Sequence, residues 1–243
     1  MIMATAIGKT AKTAKPALEK NKRDAIATRA RILRVAIAEF ASKGYSGARI
    51  DAIATRAKVN IRMIYHYFSG KEALYIEVLE HTLAQLRTEE LKLDFSALAP
   101  LEGLMQLFDF IDRHFSAHPE LMKLLSSENL NKARFMQKSL LIPVMATPVL
   151  VLLQTLLQRG AADGTVAVGI DPLHLYVTLV SLAYFHKSNA HTLSRIFQSD
   201  LLSPAWQRDH SMQTRRMLLQ FLTPTAVALE AASMHAVAAD VAA

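Results

Sequence analysis

Apolar residues step by three and four positions through most of this chain, the spacing that lines one face of a helix. Over residues 24–42 the positions Ile26, Ala30, Leu33, Ile37 and Phe40 hold that register and predict an amphipathic helix. Lys43-Gly44 ends it, a basic last turn followed by glycine. The run RIDAIATRA, residues 49–57, repeats the pattern over about two turns, with Ile50, Ile53, Ala54 and Ala57 inward. Lys58-Val59-Asn60 interrupts it. IRMIYHYF, residues 61–68, then resumes it with Met63, Ile64 and Tyr67 inward and Arg62, Tyr65 and His66 outward, and Asn60 is a favourable N-cap. Packed around Leu33, Ile37, Phe40, Ile50, Ile53, Val59, Ile64 and Phe68, these three helices make a small core.

Ser69 is expected to cap a fourth helix that begins near Gly70-Lys71-Glu72 and runs to about residue 93, with Leu74, Val78, Leu79, His81, Leu83 and Leu86 on or near its inner side. Pro100 opens a helix over 101–117 with Leu104, Leu107, Phe108, Ile111 and Phe115 inward, and His118-Pro119 stops it. A short helix over 120–128 precedes a longer one over 131–159, kinked or divided near Pro143 and Pro148 because neither has an amide donor. Residues 160–169 read as a loop. Asp171-Pro172 combines a capping side chain with proline at the first helical position, starting a helix that reaches residues 186–189 and is apolar nearly all round. After a loop containing Phe197 and Ser203-Pro204, the last long helix spans 205–222 and stops at Thr223-Pro224. Residues 1–23 read as a flexible basic arm and 225–243 as a flexible tail. The expected fold class is all-α.

Two short helices joined by a tight turn, the second with a basic and aromatic outer face, are what a helix-turn-helix needs to lay its second helix in the DNA major groove. Tyr65-His66-Tyr67-Phe68 followed by Lys71-Glu72-Ala73-Leu74 resembles the DNA-binding domain of TetR-family transcriptional regulators. The hallmark of that family is a tyrosine-x-tyrosine-phenylalanine run closing the recognition helix, with lysine and glutamate opening the next one. The resemblance covers residues 23–79. Many members have a small residue where Arg62 stands and serine where Asn60 stands, so base preference does not carry over.

The resemblance implies an N-terminal helix-turn-helix domain, residues 24–70, and a larger helical domain, residues 71–224, that binds an effector and dimerises. It implies a homodimer on double-stranded operator DNA, acting as a repressor and released by a small molecule, with the helix over 71–93 as the mechanical link. Arg49, Asn60, Ile61, Arg62 and Met63 would face the bases or the groove, while Tyr65, His66, Lys71 and Thr28 would hold phosphates, since phosphate contacts position and base contacts specify. The late helices over 171–189 and 205–222 are the apolar surfaces expected to form the dimer.

Charge strengthens that picture. Residues 1–75 carry 15 Lys and Arg against 5 Asp and Glu, whereas residues 76–243 carry 13 against 16. A basic end on a mildly acidic body is the footprint of a nucleic-acid reader. The arm, with Lys9, Lys12, Lys15, Lys20, Lys22 and Arg23 against Glu19, could add salt-dependent affinity. With 243 residues, 51% of them hydrophobic, the chain can bury a sizeable core. There is no cysteine, so disulfides, thiolate metal sites and a cysteine nucleophile are excluded. No unbroken run of 18 apolar residues is present, and a soluble cytoplasmic protein without a membrane partner is expected.

No enzyme motif stands up: HExxH, GxSxG, GxGxxG and the Walker loop are all missing, and no cofactor is expected. His114 and His118 lie four apart and could face one way as metal ligands, but only Asp112 stands near at ligand spacing, so no metal site is assigned. In the resembled family, effectors sit inside the helical body. Glu128, Asn129, Arg134, His114, Tyr176 and Tyr184 are the candidate pocket residues on that basis. The alternative is a helical enzyme or ligand-binding protein whose basic domain is not sequence-specific for DNA.

Overall fold

The computed structural model describes the backbone of residues 14–93, 95 and 97–224. The described residues form ten α-helices and one short 3-10 turn, with no strand among them. Residues 1–13 of the expected arm and the tail at 225–243 lie outside the described residues. The chain divides into two compact units between Val78 and Leu79.

The first unit holds α1 (Ala14–Gly47), α2 (Ile50–Arg56), α3 (Ile61–Phe68) and the start of α4 (Lys71–Glu90). Helix α1 begins at Ala14, so the part of the expected arm from that residue on is helical backbone. Its regular path breaks at Gly44, which takes φ 65° and ψ 178°, a conformation that glycine adopts without a side-chain clash and that marks the predicted stop. The inward face of α1 is Ile32, Leu33, Ala36 and Phe40, whereas Ile26 and Ala30, expected inward, are exposed. With Ile53, Ala54, Ile64, Phe68, Leu74, Tyr75 and Val78 these close a core around three crossing helices. The Tyr75 ring packs tilted against Phe40 at 4.8 Å and Tyr45 at 5.3 Å, so the opening turns of α4 belong to this core. The division therefore falls inside α4 rather than at its first residue.

The second unit is built on α5 (Pro100–Ala117), which packs against α6 (Pro119–Leu130), α7 (Leu141–Ala162), α8 (Pro172–Ser188) and α10 (Pro204–Leu222). Proline stands at the start of α5, α6, α8 and α10, where its missing amide would have had no partner. Asp171 accepts from the His174 amide at 2.8 Å and Ser203 from the Trp206 amide at 3.4 Å, each capping its helix. All five inward residues expected on α5 are buried in the main core, with Leu153, Leu156, Leu175, Leu179 and Leu218 among their neighbours. His81, expected on the inner side of α4, is exposed.

Three expectations for this unit fail for identifiable reasons. Residues 131–140 are turns and a 3-10 turn (Met136–Lys138), with Lys132 and Ala133 both at φ 55°, so the helix expected from 131 starts only at Leu141. Helix α7 runs past Gly160 to Ala162: this glycine serves close packing, since a Cβ there would lie 2.3 Å from Val166 and 3.0 Å from Pro100. Residues 190–197, expected as loop, form α9 (Ala190–Phe197). Among the described residues, α7 alone is long and apolar enough to cross a membrane, by length and composition. Its Val149, Leu153, Leu156 and Leu157 nonetheless pack into the core, while Val144 and Val151 stay exposed.

Candidate nucleic-acid interface

The turn between α2 and α3 is set by backbone bonds that follow from where the apolar register stops. The Ala57 amide donates to Ile53 O at 2.9 Å and the Val59 amide to Ala54 O at 3.0 Å, closing α2, with Lys58 at φ 53° in the left-handed region. The Asn60 side chain accepts from the Arg62 amide at 2.9 Å, as its N-cap role requires. At the far end Ser69, expected to cap the fourth helix, instead closes α3 in a left-handed conformation, its amide bonded to Tyr65 O at 3.0 Å.

Ile64 and Phe68 are the buried residues of α3, with Met63 and Tyr67 partly covered. The register then leaves Ile61, Arg62, Tyr65 and His66 exposed together, Tyr65 at 53%. A short helix with arginine, tyrosine and histidine outward offers guanidinium donors for base edges and hydroxyl and ring donors for phosphates.

Cations flank this helix on fixed supports. Lys71 lies 4.8 Å over the ring of Tyr45, and its pKa is lowered by burial and then by the charge of Arg49. Arg49, largely exposed, is 3.6 Å from Asp51. Arg29 covers the Phe68 ring at 5.1 Å and pairs with Glu77 at 2.5 Å, which places its chain neighbour Thr28, partly exposed, on the stretch of α1 beside the end of α3. The structure thus brings Arg49 and Lys71 into one field and presents Arg62, Tyr65 and His66 on one face; Asn60 acts first as a cap.

Pattern reading missed Glu39. Only 2% exposed, it accepts from Lys43 at 2.9 Å, from Arg56 at 3.1 Å and from the Arg49 amide at 3.4 Å. The hydrogen bond from Lys43 leads in lowering its pKa. One buried carboxylate thus ties α1 to both ends of α2. The signal was an acid between Ala36 and Phe40, next to the inward register.

Residues 32–78 match the family model described as bacterial regulatory proteins, tetR family, and residues 100–218 match the tetracyclin repressor-like C-terminal domain. The HTH-type transcriptional repressor NicS of Pseudomonas putida is 38% identical over 72% of this chain and 82% of its own length. The chain belongs to the TetR family. Another relative, an HTH-type transcriptional repressor of Streptomyces coelicolor, is 40% identical over 44% of this chain and 53% of its own length. A solved structure of a transcriptional regulator from Streptomyces coelicolor superposes with TM-score 0.62 at 24% identity, covering 80% of this chain and 98% of that one, which shows the shared fold. This TetR-family chain is accordingly a DNA-binding transcriptional regulator and not an enzyme.

The TetR-type body does not gather the six expected pocket residues at one site. Asn129 and Arg134 are exposed, and the Arg134 guanidinium lies 5.5 Å over Phe135. Glu128 is buried, and its Oε2 accepts the amides of Phe135 and Met136 at 3.1 Å each, holding the 131–140 turns against α6. Tyr176 bonds to Arg87, which also pairs with the buried Glu90, whose pKa burial raises. His114 stands beside Glu89 and His118. Tyr184 stands next to a large cavity: its hydroxyl is 2.7 Å from Ser126 Oγ. Ser126 lines a cleft of about 840 Å³ together with Phe115, Met122, Lys123, His191 and Gln207. The helix-period signal could not find this cleft, because its walls come from five separate helices.

Proposed function

We propose that this chain is a homodimeric repressor that binds a palindromic operator and leaves it when a small molecule enters the body. The observation that carries the reading is the exposed front of α3, where Arg62, Tyr65 and His66 stand clear of the core beside the Arg49 and Lys71 cations. One eight-residue helix reads only a few base pairs, so useful specificity needs two copies, and a two-fold pair demands half-sites about one helical turn apart. The two relatives, both named as repressors, support the sign of control.

The apolar faces of α8 and α10 support the dimer. Leu173, Val177 and Phe185 on α8 and Met212, Met217 and Phe221 on α10 are each at least 50% exposed, more apolar surface than a lone chain keeps on two neighbouring late helices. Helix α7 serves as a core helix in this reading and not as a membrane span, and the protein works in the cytoplasm, where its DNA is. The cleft beside Ser126 and Tyr184 suits an apolar effector with one or two polar groups, the usual make-up of such sites.

The test combines operator selection with sizing. Arginine paired to guanine is worth roughly 1 to 3 kcal/mol of discrimination, so Arg62→Ala should relax preference at one symmetric pair of operator positions while leaving non-specific binding almost intact. By linkage, an effector that releases DNA must bind more weakly by the same factor when operator is present. A chain that stays monomeric on DNA, or that binds all duplexes alike, would sink the reading and favour a basic domain without sequence specificity.

A further inference from the structure

We propose that the corner where α4, α5 and α6 meet is a binding site for a divalent transition metal of the zinc class, ligated by Glu89, His114 and His118. These three residues come from the end of α4, the last turn of α5 and the junction to α6. One ligand atom from each lies within 4.8 Å of the other two. His114 Nδ1 is 3.1 Å from Glu89 Oε2, already close to the edge of roughly 3.3 Å that a tetrahedron with bonds near 2.0–2.1 Å requires. The two imidazoles lie 4.3 Å apart, centre to centre, His114 on the last turn of α5 and His118 at its C-cap.

The surroundings have the form of a metal site with its outer partners. Glu120 Oε1 is 3.2 Å from Nδ1 of His118, the carboxylate–histidine pairing that orients a ligating ring and leaves its other nitrogen, Nε2, for the ion. Gln85 donates to the second oxygen of Glu89 at 3.3 Å and so turns Oε2 toward His114. His114 is buried, whereas Glu89 and His118 keep partial exposure, which gives an ion a route in and leaves room for water as fourth ligand. Two histidines and one carboxylate are the donor set that suits zinc, with nickel, cobalt and copper as competitors in the usual order of affinity. A bound ion would clip the end of α4 to the α5–α6 corner. Asp112, the acid that sequence spacing brings nearest, is engaged elsewhere, by Lys187.

The test uses the full chain without an affinity tag, stripped with a chelator and titrated with Co(II), then back-titrated with Zn(II). The expected result is one equivalent per chain with the visible bands of a four-coordinate Co(II), displaced by Zn(II), and a thermal midpoint that rises with free zinc by mass action. Glu89→Gln and His118→Gln, both at partly exposed positions, should each weaken binding at least tenfold while leaving the helical circular dichroism unchanged. Glu120→Gln should weaken it about tenfold, as loss of an outer partner does. His210→Gln, in the histidine cluster with His186 and Trp206, should have no effect. Binding that survives Glu89→Gln with His118→Gln, or that disappears with His210→Gln, would overturn the site, as would no binding of either metal at micromolar concentration.

Discussion

The helix-turn-helix unit and the helical body use the same capping and packing rules, yet they bring polar groups together over different stretches of chain. In the first unit the side chains proposed to face DNA lie between Thr28 and Lys71, and the groups that hold them are mostly close in sequence: Asn60 with the Arg62 amide, Glu39 with Lys43 and Arg56. In the body the polar pairs span the whole unit. Arg87 meets Tyr176, Asp112 meets Lys187, Ser126 meets Tyr184 and Glu89 meets His114. The difference teaches that a surface presented by one short helix can be repeated as a motif, while a cleft assembled from five helices can change its chemistry without any single segment showing it.

The sharpest way to break this contrast is at a long-range contact. Gly160→Val puts a side chain where even a Cβ meets Val166 at 2.3 Å, and should destabilise the body by about 2–3 kcal/mol, the upper part of the range for overpacking. Thermal unfolding should show an earlier body transition. An unchanged midpoint would mean that the 160–166 contact gives way freely and that the body is less tightly specified than its buried core suggests.

Acid should separate the two units next. His186 has its pKa lowered to about 4 by burial, then by Lys187 and His210, against 6.5 for an ordinary histidine. The unfolded chain therefore binds the extra proton between those values, and stability of the body falls as pH drops from 6.5 to about 4; His186 alone contributes a slope of at most about 1.4 kcal/mol per pH unit, and burial lowers His114 and His210 in the same direction. Glu39 is also lowered, so its contribution is complete above 4.5 and is lost only as pH falls below that value through its folded pKa. Denaturant curves followed by the single tryptophan, Trp206, which stacks on His210 at 4.7 Å, report the body. His186→Phe should reduce the upper slope read at Trp206, and Glu39→Gln should change only the lower window, read by the helical circular dichroism that includes the first unit. A slope above pH 4.5 that responds to Glu39→Gln would contradict the assignment.

Caps make a like-for-like comparison at smaller size. Asn60→Ala and Asp171→Ala each remove a side chain that accepts a helix-start amide, at 2.9 Å and 2.8 Å, and should each cost about 1 kcal/mol. Asn60→Ala should also weaken DNA binding through a frayed α3, whereas Asp171→Ala should leave the affinity of folded protein alone. Equal effects on DNA binding would erase the distinction between the two caps.

The smallest expected effects concern backbone contacts to DNA. Lys71→Ala should reduce the slope of log affinity against log salt by about one per subunit, and Tyr65→Phe should weaken binding by about 1 kcal/mol without moving the preferred sequence. A slope unchanged by Lys71→Ala would show that its contact with the Tyr45 ring, 4.8 Å away, holds it off the phosphates.

Much of the fold was legible because helix faces, caps and stops are local. Periodicity located α2, α3, α5, α8 and α10, Asn60 and Asp171 proved to be caps, and Gly44 is where α1 breaks. The register of α3 alone was enough to turn Arg62, Tyr65 and His66 outward. Local pattern failed where two signals coincide: Gly160 resembles a loop opener but sits in a helix because Val166 and Pro100 press against it, and α9 was hidden by the turn-rich residues that follow it.

By itself, then, the order of residues determined an all-helical chain, its helix-turn-helix and the side chains that unit turns outward, since an amphipathic helix carries its own inside and outside within each turn. Tertiary packing alone decided that Glu128 supports a turn, that Asn129 and Arg134 face solvent, that the large cleft lies beside Ser126, and that Glu89 joins His114 and His118. Those outcomes depend on how α4, α5, α6 and α8 cross, and a crossing is set by which side chains interlock between helices far apart in the chain, information that no window of one helix contains.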